Sequence, residues 1–222
     1  MIITLFVILV LVLAEVVALL WMLHTVSSYK KFWAAKAEES GQITYLALGD
    51  SAAQGIGATS PMRGYVGLIA KQLQTSTGKS VRIINLSVTG ATTRDALDTQ
   101  LPKIKTIKAD YVTIEIGAND IRSFDATKFT KDYRELLPLL PDGTHVANMP
   151  LFNSRPGSTT PAKQASVIIE AELKKYPKLH FVDLQKQTTQ HQSIFGFAPD
   201  LFHPNNLSYK NWYEAFWQVM HK

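Results

Sequence analysis

The stretch from Ile43 to Ser51, Ile-Thr-Tyr-Leu-Ala-Leu-Gly-Asp-Ser, decides the fold of this chain. Its first six residues are apolar or β-prone and are followed at once by glycine and small residues. That pattern predicts a buried β-strand over Ile43 to Leu48. Ser51 then lies at the carboxyl end of the strand. Ligands bind at that edge in open α/β sheets, so we expect Ser51 in a crevice and not in the core.

Short apolar stretches and helical patterns alternate after this first strand. Further strands are predicted at Val81 to Leu86, Tyr111 to Ile116, His145 to Met149 and His180 to Leu184. Helices are predicted at Tyr65 to Gln74, Thr93 to Lys105, Phe129 to Leu140, Ala162 to Tyr176 and Ser208 to Met220. The strands are apolar on both faces, which is typical of a parallel sheet covered on both sides. The sequence therefore predicts an α/β fold, a three-layer α/β/α sandwich with a sheet of about five strands.

The amino-terminal segment from Ile2 to Leu23 is almost wholly apolar, with Glu15 as its only formally charged side chain. About 20 such residues span a bilayer as a helix, so a transmembrane anchor is predicted. A signal sequence is the alternative, although the segment lacks a basic start and carries Trp21 and Met22 where a cleavage site needs small residues. The chain thus divides into residues 1–24 as anchor or uncleaved signal, residues 25–42 as juxtamembrane stalk and residues 43–222 as the globular domain.

The composition excludes several classes of function. The 222 residues carry a formal net charge of +5, yet the basic residues are scattered and form no Arg-rich run, so nucleic acid is not predicted as a partner. Cysteine is absent, which excludes disulfides, thiol nucleophiles and cysteine-based metal sites. The membrane is the partner that the apolar amino-terminal segment predicts, and the oligomeric state is left open.

A second motif, Asp200-Leu201-Phe202-His203, lies far downstream of Ser51. An Asp three residues before a His can fold back so that its carboxylate meets the imidazole, which fixes the tautomer and stabilises the imidazolium. A serine hydroxyl is a weak nucleophile until such a base removes its proton. Taken singly, Ser51 is also compatible with an ordinary turn, and Asp200 with a cap before Pro204.

Two further strand ends offer donors for an oxyanion hole, the set of N–H groups that stabilises negative charge on the substrate oxygen. Gly90 permits close approach of the backbone and offers its N–H. Asn119, in the run Gly-Ala-Asn-Asp over Gly117 to Asp120, offers its side-chain amide. A helix start at Thr92 and an ordinary turn at Asn119 are the structural alternatives.

In this order, the four blocks resemble those of the SGNH (GDSL-type) hydrolase family, and the resemblance covers the chain from about Thr44 to its carboxyl terminus. It implies a flavodoxin-like sheet and an esterase that uses an acyl-enzyme, with no cofactor and no metal. Carried over residue by residue, it implies Ser51 as nucleophile, His203 as general base and Asp200 as the acid that orients the base. The implied oxyanion donors are the N–H of Ser51, the N–H of Gly90 and the amide of Asn119.

The segments Gly55 to Ala58 and Arg63 to Val66 resemble those that follow the serine in lysophospholipase- or esterase-like members. The first block departs from the family in reading Asp-Ser-Ala-Ala instead of the commoner Asp-Ser-Leu. Some members use a Ser/His dyad with a backbone carbonyl, so the resemblance implies the role of Asp200 less directly than that of His203.

The leading hypothesis is a membrane-anchored serine esterase acting on lysophospholipids, small esters or acylated glycans. An acyl-thioesterase, a carbohydrate deacetylase and a non-catalytic membrane-tethered binding domain are the alternatives. Lys30, Lys31 and Lys36 follow the span and no basic residue precedes it, so the positive-inside rule favours a cytoplasmic domain. Export, which is frequent among hydrolases of this family, favours the opposite side.

Overall fold

A computed structural model describes residues 2–152 and 157–221, with side chains from residue 4 onward. Five strands form one parallel sheet in the order β2-β1-β3-β4-β5. They are β1 (Ile43–Gly49), β2 (Val81–Asn85), β3 (Tyr111–Glu115), β4 (His145–Ala147) and β5 (His180–Val182). Each begins at its predicted residue and ends within two residues of its predicted end.

Helices cover both faces of the sheet, which confirms the predicted three-layer architecture. One face is covered by α4 (Thr93–Thr99), α5 (Leu101–Ile104), α6 (Ala126–Leu136) and α7 (Thr159–Leu173). The other face is covered by the second half of α1 (Ile2–Ala37) and by α3 (Tyr65–Thr77), α8 (Leu184–Gln190) and α9 (Asn206–Met220). The short helix α2 (Ser51–Gln54) follows β1, and single 3-10 turns lie at Pro61–Arg63, Asp120–Ser123 and Leu137–Leu139.

The sheet order places β1 between β2 and β3, so the chain reverses its direction across the sheet after β2. Ligands bind at such a reversal, outside the carboxyl ends of the two central strands. Gly49 at the end of β1 lies opposite Glu115 at the end of β3. A Cβ on Gly49 would lie 2.3 Å from the carbonyl oxygen of Glu115, and the φ of Gly49 is +145°. Glycine therefore allows the two strand ends to approach each other closely.

The helix predicted from Thr93 to Lys105 is interrupted at Gln100, which separates α4 from α5. The Gln100 side chain is fully buried and accepts the N–H of Gly49 at 3.0 Å while it donates to the carbonyl oxygen of Gly49 at 2.7 Å. Pro102 occupies the first turn of α5, where proline needs no N–H acceptor. The break thus lets one amide clamp the end of β1.

Capping side chains mark the beginnings of three further helices. Asp125 caps α6, which begins three residues before its predicted start, and Asn205 caps α9. Asp183 caps α8, a helix that the sequence analysis missed, by accepting the N–H of Lys186 at 3.0 Å. Leu184 was predicted as the end of a strand and instead begins this helix, because a side chain that accepts a helical N–H stabilises the first turn.

Helix α1 covers the predicted anchor and most of the predicted stalk as one continuous element. By length and composition it is the single candidate for a membrane span among the described residues, a test that a signal sequence also passes. Its second half packs on the domain. Trp33 is 2% exposed and donates from Nε1 to the carbonyl oxygen of Gln54 at 3.0 Å, and the Tyr29 hydroxyl donates to that of Ala58 at 2.7 Å. Much of the region predicted as a stalk is therefore part of the fold.

Candidate active site

Ser51 is the first residue of helix α2, directly after β1. The carboxylate of Asp50 caps this helix by accepting the N–H of Ala52 at 2.9 Å. The chain therefore turns sharply from strand to helix and leaves Ser51 at the carboxyl edge of the sheet. Ser51 is 4% exposed, so its hydroxyl lies at the bottom of a crevice, as the sequence predicts.

Ser51, His203 and Asp200 form a continuous chain of hydrogen bonds. The Nε2 atom of His203 lies 2.9 Å from the Oγ atom of Ser51, and its Nδ1 atom lies 2.6 Å from Oδ2 of Asp200. The other oxygen of Asp200 accepts the backbone N–H groups of Phe202 and His203 at 3.1 and 3.0 Å. These contacts bring the three predicted catalytic residues together and orient the imidazole toward the serine hydroxyl.

The carboxyl group of Asp200 is held in its ionised form. Burial raises its pKa, but the hydrogen bond and charge of His203 and the two backbone N–H groups oppose this effect and lower the pKa to about 2. Asp200 therefore carries a negative charge at neutral pH. A charge in this position stabilises an imidazolium that forms when His203 accepts a proton.

Of the three predicted oxyanion donors, Ser51 begins α2, and Gly90 and Asn119 lie on two neighbouring loops. Gly90 has a φ of +83°, and a Cβ there would meet nothing within 4 Å. Its N–H has no acceptor within the part of the chain that the structure describes. The Nδ2 atom of Asn119 donates to the carbonyl oxygen of Ala91 at 2.9 Å and to Oδ2 of Asp50 at 3.1 Å. The two loops are thus joined to each other and to the residue before Ser51.

Asp50 is a site residue whose role the sequence analysis missed. It is fully buried, and burial raises its pKa to about 6 against the opposing effects of the Ala52 N–H and the charge of His203. One of its oxygens caps α2 and the other accepts the amide of Asn119. An Asp before a helical Ser is a signal for the cap, whereas no local signal predicts the contact with Asn119.

A second buried amide, that of Gln54, fixes the loop that carries Gly90. Its Nε2 atom donates to the carbonyl oxygen of Ser87 at 2.9 Å, and the Thr89 hydroxyl donates to its Oε1 atom at 2.5 Å. Gln54 is also the last residue of α2, whose first residue is Ser51. The helix that carries the serine therefore also positions the Gly90 loop.

Glu115 is a second buried carboxyl group beside the site. Among the described residues, neither of its carboxyl oxygens has a hydrogen-bond partner, and the same holds for the hydroxyl of Tyr65. Burial, with the charge of Asp50, raises the pKa of Glu115 well above its ordinary value of 4.5. Burial therefore favours the protonated, uncharged form of Glu115.

A pocket opens beside Ser51 and His203, with an empty volume of about 620 Å³ that is partly open to solvent. Its apolar wall consists of Pro150, Leu151, Phe152, Phe197, Phe202 and Trp212. Its polar lining comes mainly from Thr188, His191, Gln192, Ser193, Ser208 and Asn211. Over residues 2–152 and 157–221, no group of three or more His, Asp or Glu side chains is arranged to hold a metal ion.

The model of the GDSL-like lipase/acylhydrolase family matches residues 47–210, well over half of the chain. The chain belongs to this family. The predicted SGNH (GDSL-type) membership is thereby confirmed, and the chain is a hydrolase of carboxylic esters. A sequence comparison with curated proteins finds no match.

Solved structures with the same fold include several hydrolases. LAE5, an alpha/beta hydrolase from the metagenome of Lake Arreo, has a TM-score of 0.67 at 21% identity, covering 83% of this chain and 97% of its own. Axe2, an acetylxylan esterase from Geobacillus stearothermophilus, has a TM-score of 0.66 at 21% identity, covering 82% and 96%. A lipolytic G-D-S-L protein from Veillonella parvula has a TM-score of 0.67 at 17% identity, covering 81% and 99%. At these identities the likeness establishes the shared fold.

Proposed function

We propose that this ester hydrolase is a membrane-anchored serine esterase with a Ser51, His203 and Asp200 triad. The observation that carries the proposal is the pair of hydrogen bonds on the His203 ring, 2.9 Å to the Ser51 hydroxyl and 2.6 Å to the Asp200 carboxylate. A base that contacts both a serine and an ionised carboxylate, at the bottom of an open pocket, is arranged for nucleophilic catalysis.

The proposed reaction has two halves. His203 takes the proton of Ser51 as Oγ attacks the ester carbonyl carbon, and the resulting imidazolium gives that proton to the departing alcohol. Water then attacks the acyl-enzyme while His203 takes its proton, and the acid leaves as Ser51 is protonated again. The N–H groups of Ser51 and Gly90 and the amide of Asn119 stabilise the negative oxygen in both halves.

Asn119 must change one contact to act as an oxyanion donor. Its two amide hydrogens are shared between Ala91 and Asp50. We propose that the amide rotates slightly while it keeps the bond to Ala91, so that the hydrogen bond to Asp50 is exchanged for one to the substrate oxygen when the negative charge develops. The longer of the two bonds, 3.1 Å to Asp50, is the one that is exchanged.

Retention of the apolar segment as an anchor is supported by its packing. Met22 lies within the predicted span, is 6% exposed and packs with Ile56 and Ala198 of the domain. Loss of the segment through cleavage of a signal sequence would remove this contact. Trp21 is 45% exposed at the end of the span, where aromatic side chains are enriched at the membrane surface.

The pocket favours an acyl group with an apolar chain as the substrate, because aromatic and aliphatic side chains form much of its wall. Deacetylation of a carbohydrate is the second candidate, since Axe2, which shares the fold, is an acetylxylan esterase. A series of p-nitrophenyl esters from acetate to palmitate separates the two. We expect the specificity constant to rise with chain length, and a maximum at acetate would favour the deacetylase.

The proposal is tested on the full chain in detergent or nanodiscs with a fluorophosphonate probe and p-nitrophenyl esters. We expect wild type to be labelled and active, and Ser51→Ala and His203→Ala to lose both properties. An unlabelled and inactive wild type, or fully active variants, would refute the catalytic assignment. The full chain is used because it keeps the contacts of Met22, Tyr29 and Trp33 with the domain.

We propose that the domain lies on the cytoplasmic side, because Lys30, Lys31 and Lys36 follow the span. A carboxyl-terminal fusion to alkaline phosphatase, which is active only outside the cytoplasm, tests this orientation. We expect an inactive reporter, and an active one would reverse the assignment.

A further inference from the structure

A tight turn at the edge of the pocket exposes two large apolar side chains. Ser193 to Gly196 form this turn, which is closed by the Gly196 N–H donating to the carbonyl oxygen of Ser193 at 3.1 Å. Its two central residues, Ile194 and Phe195, are 84% and 76% exposed. Turn positions normally carry small or polar residues, so an Ile-Phe pair at the tip of a turn indicates a surface that contacts something apolar.

This Ile-Phe turn is firmly attached to the proposed catalytic segment. The Nδ2 atom of Asn205 donates to the carbonyl oxygen of Phe195 at 2.6 Å, and the backbone N–H of Asn205 donates to that of Gly196 at 3.0 Å. Asn205 lies two residues after His203. Ser193 and Phe197, on either side of the tip, both line the pocket beside Ser51. The turn is thus a rigid part of the pocket entrance.

Helix α1 places the turn near the level of the membrane surface. Ala198, three residues after Phe195, packs in one cluster with Met22 of α1. An extended chain covers at most about 3.6 Å per residue, so the tip lies within about 11 Å of this contact. Met22 is the residue before the end of the apolar segment, Ile2 to Leu23. That segment is about 33 Å long at about 1.5 Å per residue, close to the hydrocarbon thickness of about 30 Å.

The polar face of the same helix lies where lipid headgroups would be. Lys30 and Lys31 are exposed and follow the end of the span by two turns of α1. Cationic side chains at that distance attract anionic headgroups. Each headgroup region is about 5 to 8 Å thick, so a turn within about 11 Å of the end of the span can reach it.

We propose that Ile194 and Phe195 insert into the surface of the bilayer that holds α1, so that the pocket entrance receives ester substrates resident in that membrane. The inference rests on the proposed anchored esterase and specifies its substrate class as membrane lipid esters. The occupant of the apolar turn is the bilayer, because Ala198, two residues after the turn, packs against Met22 of the membrane helix. The side chains of Ile194 and Phe195 do not line the pocket, so they act at its entrance.

Activity on two substrates tests the proposal in nanodiscs of phosphatidylcholine. The variant is Ile194→Ser with Phe195→Ser, and the matched control is Val167→Ser, which is 67% exposed on α7 across the sheet from α1. We expect turnover of p-nitrophenyl acetate to be unchanged in both. Hydrolysis of lysophosphatidylcholine in the bilayer should fall on the order of tenfold in the double variant alone, because two apolar side chains are then no longer buried in the bilayer.

The outcomes distinguish membrane insertion of the turn from the esterase activity itself. A wild type that hydrolyses neither ester contradicts the esterase itself. A wild type that is active on both esters, with a double variant equally active on both, overturns membrane insertion of the turn and leaves the esterase intact.

A second measurement does not depend on turnover. The chain has no cysteine, so Phe195→Cys and the control Val167→Cys can each carry one environment-sensitive fluorophore. We expect spin-labelled lipids to quench the label at position 195 at least about twice as strongly as the label at position 167. Such quenching is expected for a group that is buried about 5 to 10 Å into the membrane interface. A label at 195 that remains in water overturns the proposal. So does a label in an apolar environment that lipids do not quench, since a protein partner would then cover the turn.

Discussion

The carboxylate of Asp200 accepts hydrogen bonds from the backbone N–H groups of Phe202 and His203 and from the imidazole of His203. Asp200→Asn removes the charge that stabilises the imidazolium while it preserves the size of the side chain. We expect kcat for p-nitrophenyl esters to fall at least about a hundredfold with little change in KM. Asp142→Asn, at a 69% exposed position, is the matched control. A kcat within about twofold of wild type would indicate a Ser/His dyad, in which the backbone around His203 suffices.

Glu115 makes the stability of the fold depend on pH. Its folded pKa is raised by burial and by the charge of Asp50. Below the unfolded pKa both states keep the proton; above it, the unfolded chain releases the proton while the folded chain retains it. Stability is therefore lost as the pH rises from the unfolded pKa through the folded one.

Glu115→Gln keeps the shape of the neutral side chain and does not titrate. We expect its melting temperature to exceed that of wild type at pH 8 by at least about 2 °C, and the difference to shrink at pH 5. Thermal melts of both proteins in the same detergent check this result. A difference that is equal at the two pH values would show that Glu115 has the same pKa in both states.

The proposed catalytic residues could be predicted from the sequence because their chemistry is local. An Asp three residues before a His forms its contact within one loop, and Ser51 follows directly on a strong strand pattern. The contact between Asp50 and Asn119 joins residues 69 positions apart. It depends on the register of β1 with β3, which no spacing along the chain specifies.

Helix α1 is part of the domain as well as the proposed membrane anchor, because Trp33 packs into the core beneath α2. We expect Trp33→Ala to lower the free energy of unfolding by about 3 kcal/mol, through the cavity and the lost hydrogen bond to Gln54. Esterase activity should fall as well, since Gln54 ends the helix that begins with Ser51. Thermal melting in detergent measures the change. Trp21→Ala on the exposed part of the same helix is the control and should leave the melt of the domain unchanged.

Two truncations separate the roles of the helix. A chain that begins at Ser27 keeps Tyr29 and Trp33, and we expect it to retain soluble esterase activity. A chain that begins at Gln42 loses both contacts and should melt at a lower temperature or fail to fold. Equal stability of the two would show that the second half of α1 is a linker.

At the level of elements, every predicted strand and helix is present, but helix α8 was not predicted, and the other errors are one broken helix and shifted boundaries. The helical sequence pattern is continuous from Thr93 to Lys105. The helix is nevertheless interrupted at Gln100, whose side chain forms hydrogen bonds with the backbone of Gly49. The stalk was predicted as a separate part because its sequence is polar. Its two buried aromatic residues lie four positions apart on one face of the helix, and that spacing was the available signal.

At the scale of the molecule, the parallel three-layer fold follows from strands that are apolar on both faces. The order of the strands also determines which loops meet. Because β1 lies between β2 and β3, the loops after all three strands converge on Ser51, and the last loop adds His203 from beyond β5. The four sequence blocks at the site could be predicted from the sequence. The Ile-Phe turn was not predicted, because a pair of apolar residues has no periodicity.

The distance along the chain between Ser51 and His203 has a consequence for biosynthesis. The hydrogen bond between them joins residues 152 positions apart. A ribosome adding about 5 to 20 residues per second therefore needs roughly 8 to 30 s after Ser51 before it has made the base that activates it. In the proposed membrane-anchored esterase, the first helix has already entered the bilayer during that interval, while the nucleophile lacks its partner. A nascent chain of that enzyme that stalls in this interval would be inserted but inactive, and would leave the lipids of the membrane in which it is being made intact.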